Sequence, residues 1–157
     1  MSGEGIPSPD SFDVDAGLEV AIVAARWHAE VQEALVANAV TECERHGIAP
    51  VVHWVPGTFE IPVVARRLAV SHDAVIALGT VVRGGTPHFE YVCESVTYAL
   101  TRIALDTGTP VGFGILTCDD MAQAMDRAGL PDSTEDKGTE AAAAALATAT
   151  LLRRLTM

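Results

Sequence analysis

Histidine, arginine, threonine and two adjacent glycines crowd into one short stretch of this chain, residues 79–91, which read GTVVRGGTPHFEY. The stretch follows an apolar run, residues 73–78, that reads as a buried strand, and it precedes a long amphipathic helix. Gly84 and Gly85 are open to backbone angles closed to other residues and let a ligand approach the main chain closely. Thr86 reads as an N-cap with Pro87 at the first helical position, where a missing N–H costs nothing. A helix start exposes unpaired N–H groups and a partial positive charge, so this corner suits an anion such as phosphate. His88, in the first helical turn, is placed to move protons beside that anion. A plain strand–turn–helix joint with a solvent-facing His88 shares the local pattern. The glycine pair, Arg83 and the helix start together favour a site. The stretch is not a nucleotide-binding P-loop: Gly85 stands where the lysine must be, so nothing reaches the outer phosphates and an ATPase or GTPase is excluded.

Charge narrows the function further. The formal net charge of −11 argues against nucleic acid or an anionic membrane as partner. The ten cationic residues are nine arginines and a single lysine, Lys137. A sole lysine in so arginine-biased a chain points to a task that a compact ammonium does and a planar guanidinium does not, although a surface lysine without any task fits the count equally well. Cys43, Cys93 and Cys118 are scattered and odd in number; they fit a reducing, cytoplasmic compartment and show no metal spacing. No apolar run approaches a membrane span, and the first residues lack the charged-then-apolar pattern of a secretory signal.

The elements that must position these residues alternate. Residues 1–16, rich in Gly, Pro, Ser and Asp, read as a flexible arm, and residues 17–157 as one domain. Residues 18–25 form a first strand ending at Arg26, Trp27 and His28. Residues 30–46 carry apolar side chains at helical spacing (Val31, Leu35, Ala39, Val40, Cys43), with Gly47 as the stop. A second strand at 50–55 ends at Pro56 and Gly57, and a helix runs from Thr58 to about Ser71. After the third strand and the opening stretch, a helix burying Val92, Val96, Ala99, Leu100 and Ile103 closes at Gly108. Residues 110–117 form a fourth strand, whose Gly112 and Gly114 suggest another chain or a ligand close to the backbone. A short helix at 119–128 starts at Asp119 or Asp120. Ser133 and Asp136 offer a capping box for an alanine-rich helix reaching Arg154, whose small face at 141–145 permits close packing.

Four strand–helix alternations predict an α/β fold with a parallel sheet and helices on both faces. Ligands bind beyond the carboxyl ends of such strands, where the strand order reverses. That places residues 26–28, residues 57–60, residues 79–88 and Phe113 along one rim. Trp27 or Phe59 could stack on a planar ring, and Glu60 could accept hydrogen bonds from hydroxyls.

Together the segments PGTFEIP (56–62), LGTVVRGGTPHFEYV (78–92), FGILT (113–117), DRAGLP (126–131) and DKG (136–138) resemble the 6,7-dimethyl-8-ribityllumazine synthases of riboflavin biosynthesis, over nearly the whole chain. The resemblance implies a three-layer α/β/α sandwich around a four-stranded parallel sheet in flavodoxin-like order, with an N-terminal arm that adds a strand to a neighbouring subunit. It implies condensation of 5-amino-6-ribitylaminouracil with 3,4-dihydroxy-2-butanone 4-phosphate, with loss of phosphate and water and without metal or organic cofactor. Position by position, Trp27 would stack on the uracil and the backbone at Val81 and Val82 would bind its edge. Thr58, Phe59 and Glu60 would hold the ribityl chain. Gly85 and Thr86, with Arg127 from a neighbouring subunit, would bind phosphate. Phe113 would likewise come from the neighbour, and Lys137 would lie near the ribityl and phosphate groups. His88 would transfer protons for imine formation and phosphate elimination.

His28 stands where that family often has asparagine, and Thr58 where alanine is common; both bear on substrate detail rather than on the reaction. The family implies a homopentamer, and some members assemble pentamers into hollow icosahedral shells. Shell-formers often have a shorter loop between the last two helices; the loop at 129–136, with Pro131, favours isolated or paired pentamers. Two rival readings remain at this point: a riboflavin synthase of related fold, which handles no phosphate, and a non-catalytic flavin-binding or shell protein, which would have lost His88, Arg127 or Lys137.

Overall fold

A computed structural model describes residues 5–156. Four strands, β1 (Val20–Ala25), β2 (Val51–Val55), β3 (Ala74–Val82) and β4 (Val111–Cys118), form one sheet in the order β2-β1-β3-β4, all parallel. Five helices alternate with them: α1 (Ala29–Arg45), α2 (Ile61–Leu68), α3 (His88–Thr107), α4 (Met121–Asp126) and α5 (Lys137–Thr156). The order reverses between β1 and β3, so the crevice at their carboxyl ends is the fold's natural ligand position.

Side chains alternate along each strand and split the interior into two cores. Ile22, Ala24, Ile76, Leu78, Leu116 and Cys118 face α1 and α5, meeting Leu35, Ala39, Ala142 and Leu146. Val23, Ala25, Val75, Ala77 and Ile115 face α2 and α3, meeting Ile61, Ala65, Val92, Val96 and Leu100. β1 is buried at every position, as its unbroken apolar run requires.

Several sequence expectations are corrected. β3 does not stop at Leu78. Residues Gly79 to Val82 continue it by pairing with Ile115 to Cys118, because the neighbouring strand supplies the pairing that a glycine alone disfavours. The helix expected from Thr58 begins as a 3₁₀ turn over Thr58–Glu60 and ends at Leu68. Gly112 and Gly114 make room for this chain's own neighbours rather than for a ligand or a second chain: a Cβ on Gly112 would collide with the carbonyl of Ala141 in α5 and come within 3.1 Å of the Ala145 methyl, and one on Gly114 would collide with the Leu78 side chain of β3. We therefore expect Gly112→Ala to cost about 1–3 kcal/mol by overpacking, read as a lower thermal midpoint. Asp136 caps α5 by accepting from Thr139 N at 3.0 Å, but Ser133 does not join it. Its hydroxyl instead bonds Met125 O and accepts from Leu130 N, bracing the loop before α5.

Residues 1–4 of the expected arm lie outside the described residues. Residues 5–16 include a 3₁₀ turn at Pro9–Ser11 and lie along α1 and α5. Asp10 pairs with Arg45, Asp13 with Arg154, and Asp15 with Arg153 at 2.8 Å, while Val14 packs on the α1/α5 core.

Candidate functional site

The crevice between β1 and β3 collects most of the expected site. Trp27 follows β1 and is 68% exposed. Its neighbour His28 takes φ 61°, the one left-handed non-glycine among the described residues, and so turns the chain sharply into α1 just after the indole. The His28 ring stands edge-on to Trp27 at 6.3 Å. Gly57 sits beneath: a Cβ there would lie 3.8 Å from Trp27 and 3.0 Å from Glu60 Oε2, so the indole and that carboxylate flank one glycine. Thr58 is buried and donates to Thr80 O at 3.2 Å, whereas Phe59 and Glu60 are exposed.

β1 pairs with β3 only as far as Ala24↔Leu78, while β3 runs on to Val82. Thr80 directs its backbone toward the missing continuation of β1, as its bond to Thr58 shows. Val82, two residues on, faces the same way, at the mouth of the crevice; Val81 points its backbone to β4.

At the end of β3 the phosphate corner differs from expectation in detail. α3 begins at His88, with Pro87 rather than Thr86 at the N-cap position and no side-chain cap. Pro87 O accepts from Glu90 N at 3.2 Å in a tight first turn, which moves the helix start one residue on. Gly84 and Gly85 hold no left-handed conformation; they contribute open space, since a Cβ on either would touch nothing within 4 Å. Thr86 and His88 are exposed beside that space.

Arg83 was legible in the motif but had no partner assigned. It ties the corner together, bonding Asp119 at 2.9 Å and Glu90 while lying over the Phe89 ring at 4.3 Å. Hydrogen bonds from Arg83 hold both carboxyl groups below the usual range. With its charge so matched, Arg83 leaves the α3 amino terminus as the corner's positive end.

Phe113 is not on this rim. It is the third residue of β4, opposite Ala77, and lies nearer the amino end of the sheet. It shares a groove of about 640 Å³ with Arg127, Lys137, Glu140 and the small face of α5. Arg127 donates to Gln123 O at 3.0 Å and reaches Glu135 at 3.8 Å. Lys137 pairs with Glu135 and, at 2.8 Å, with Glu140. Burial alone would lower the Lys137 ammonium, but its bonds to the two glutamates outweigh this and hold it above the ordinary lysine value. The groove thus balances two cations with two carboxylates. One protomer therefore carries the expected site in two parts: Trp27, Thr58, Phe59, Glu60, Val81, Val82, Gly85, Thr86 and His88 around the crevice, and Phe113, Arg127 and Lys137 in the β4 groove.

Cysteine chemistry does not compete with this arrangement. Burial raises all three thiols, Cys43 to about 12, which leaves little thiolate at neutral pH. Among the described residues no helix is long and apolar enough to cross a membrane.

Residues 17–153 match the family model described as 6,7-dimethyl-8-ribityllumazine synthase. Proteins bearing that name in Frankia casuarinae and Thermobifida fusca are 55% and 57% identical to this chain, each over 99% of it and over 98% and 91% of their own lengths. One from Saccharopolyspora erythraea is 56% identical over 99% of this chain and 94% of its own. Neither the riboflavin-synthase nor the non-catalytic reading is favoured by these relatives. Since the match embraces both the crevice and the β4 groove, the chain belongs to the 6,7-dimethyl-8-ribityllumazine synthase family.

Proposed function

We propose that this protein condenses 5-amino-6-(D-ribitylamino)uracil with 3,4-dihydroxy-2-butanone 4-phosphate to 6,7-dimethyl-8-ribityllumazine, releasing phosphate and water. The reading is carried by the division of the site. A ring-stacking, hydroxyl-binding crevice and an arginine-bearing groove lie on separate parts of one chain, and a second copy that brings its groove to the first copy's crevice would complete the site.

Trp27 stacks on the uracil, the backbone of Val82 meets its edge while that of Val81, expected to share the task, is turned to β4, and Thr58, Phe59 and Glu60 line the ribityl path. The butanone phosphate seats its phosphate at Gly85 and Thr86, where the α3 amino terminus adds favourable potential. The neighbour's Arg127 supplies the guanidinium, since Arg83 is already matched by two carboxylates. The neighbour's Phe113 covers the bound ring, and Lys137 stands by the ribityl and phosphate groups. His88 relays protons from the uracil amine to the ketone oxygen as the amine attacks and that oxygen leaves as water. It then takes the proton from the carbon beside the imine and passes it to the phosphate, which departs as a carbon–carbon double bond forms. Holding both substrates together lowers the barrier through proximity as well.

The assembly is a homopentamer, single or paired, in the cytoplasm. The loop at 129–136, braced by Ser133, is the feature that motivates that choice. Mixing the purified protein with both substrates and following lumazine fluorescence tests the reaction; no product above the uncatalysed rate would reject it. Sedimentation tests assembly: activity should travel with a species of five or ten subunits, and micrographs dominated by spherical shells would reject the pentamer without touching the chemistry.

A further inference from the structure

The floor of the crevice is a buried polar relay set in an otherwise apolar part of the interior. Gln32 projects from the first turns of α1 and is fully buried, as are Thr80 and Thr58 to within a few per cent. With the Gln32 amide oriented to satisfy every neighbour, its oxygen accepts from Thr80 N at 2.9 Å and Thr80 Oγ1 at 2.7 Å. Its nitrogen donates to Leu78 O at 3.1 Å. On the far side, Thr58 Oγ1 donates to Thr80 O at 3.2 Å. Gly79 admits nothing larger between them: a Cβ there would come within 2.7 Å of the Thr58 methyl and 2.9 Å of Ile61.

Strand pairing explains why an amide stands here. β1 leaves β3 after Ala24↔Leu78, so the next inward-facing amide, Thr80 N–H, would be orphaned in the interior. A glutamine side chain carries the same donor and acceptor as a peptide group. Gln32 therefore acts as one further residue of β1, supplied from a helix, and ends the ladder at Thr80. The following groups on that edge, those of Val82, are left for a ligand.

We infer that Gln32 is a positioning residue for the uracil substrate, setting the height of the Val82 edge and of Thr58 through Thr80 without itself touching substrate. This inference rests on the proposed reaction for its kinetic consequence but not for its structural one. Gln32→Met keeps side-chain length and removes both hydrogen-bonding groups. It should raise the Michaelis constant for the ribitylaminouracil about five- to tenfold, with that for the butanone phosphate within about twofold and turnover little changed. In the same assembled protein, hydrogen exchange at the Thr80 amide should accelerate relative to the rest of β3. Gln32→Glu, which when protonated offers the same acceptor and donor, should restore the uracil constant to within about threefold of the parent.

A purely structural role would lower the active fraction and leave both Michaelis constants alone; that result, or equal behaviour of Met and Glu, would overturn the inference. If the parent protein makes no lumazine, the reaction itself is wrong, and Thr80 exchange still decides whether Gln32 ends the ladder.

Discussion

Replacing His88 by alanine should lower turnover by about 10²–10⁴-fold while leaving the Michaelis constants of both substrates nearly unchanged. The imidazole sits at the first residue of α3, exposed beside the open backbone of Gly84 and Gly85. No core contact is lost with it, and alanine is a good helix former, so stability should move by no more than about 0.5 kcal/mol. A fall in rate then reports chemistry rather than folding. The residual rate should stay above that of free substrates, because Trp27, Thr58 and the α3 amino terminus still hold the two reactants together. Steady-state rates followed by lumazine fluorescence decide the matter; unchanged turnover would remove His88 from proton transfer.

Arg127→Ala should act on binding instead, and on one substrate. The protein is strongly acidic, so its overall field repels the butanone phosphate and local charge must gather it. Arg127 is part-exposed in the β4 groove, held by Gln123 O yet 3.8 Å from its nearest carboxylate. Its guanidinium can grip two phosphate oxygens, and a charge-assisted contact is worth about 1.5–3 kcal/mol. The Michaelis constant for the butanone phosphate should therefore rise roughly 10–150-fold, with that for the uracil little altered. Lys137→Ala should disturb both substrates, since Lys137 restrains Glu135 and Glu140 and its loss frees two carboxylates in the groove. Weakened uracil binding alone in Arg127→Ala would contradict the phosphate assignment.

What could be read from the sequence follows how far apart the cooperating residues lie along the chain. Apart from Trp27, which follows β1, the crevice residues sit in two unbroken motifs at strand ends, and a strand end is a position that periodicity can locate. Phe113, Arg127 and Lys137 are scattered over three elements. Local pattern put Phe113 on the wrong rim because strand length, not strand presence, decides which end of β4 it occupies. Gln32 escaped notice for a different reason. Beside Val31 and short of Leu35 it reads as the polar margin of an amphipathic stripe, and only the early departure of β1 from β3 makes an amide there useful. The capping of α5 was half legible: Asp136 caps as its spacing demands, while Ser133 found a nearer partner in the loop. The two glycines of β4 were read as room for a visitor, since nothing local reveals that a helix thirty residues on will fill it.

That last contact bears on how the chain can drift over generations. On the α5 face, Gly112 lies against the backbone of Ala141 and the methyl of Ala145, and Gly138 lies against the backbone of Leu35. There is no side-chain volume on either partner to trade, so a single enlargement at any of these positions displaces a helix rather than a rotamer. On the opposite face, valines, leucines and isoleucines of α2 and α3 meet branched strand residues, and a gain at one position can be offset by a loss at its neighbour. Change should accumulate one residue at a time on that second face. At Gly112 and Gly138 any enlargement must move a helix, which makes these two contacts the slow clock of this protein and the α2/α3 layer the fast one.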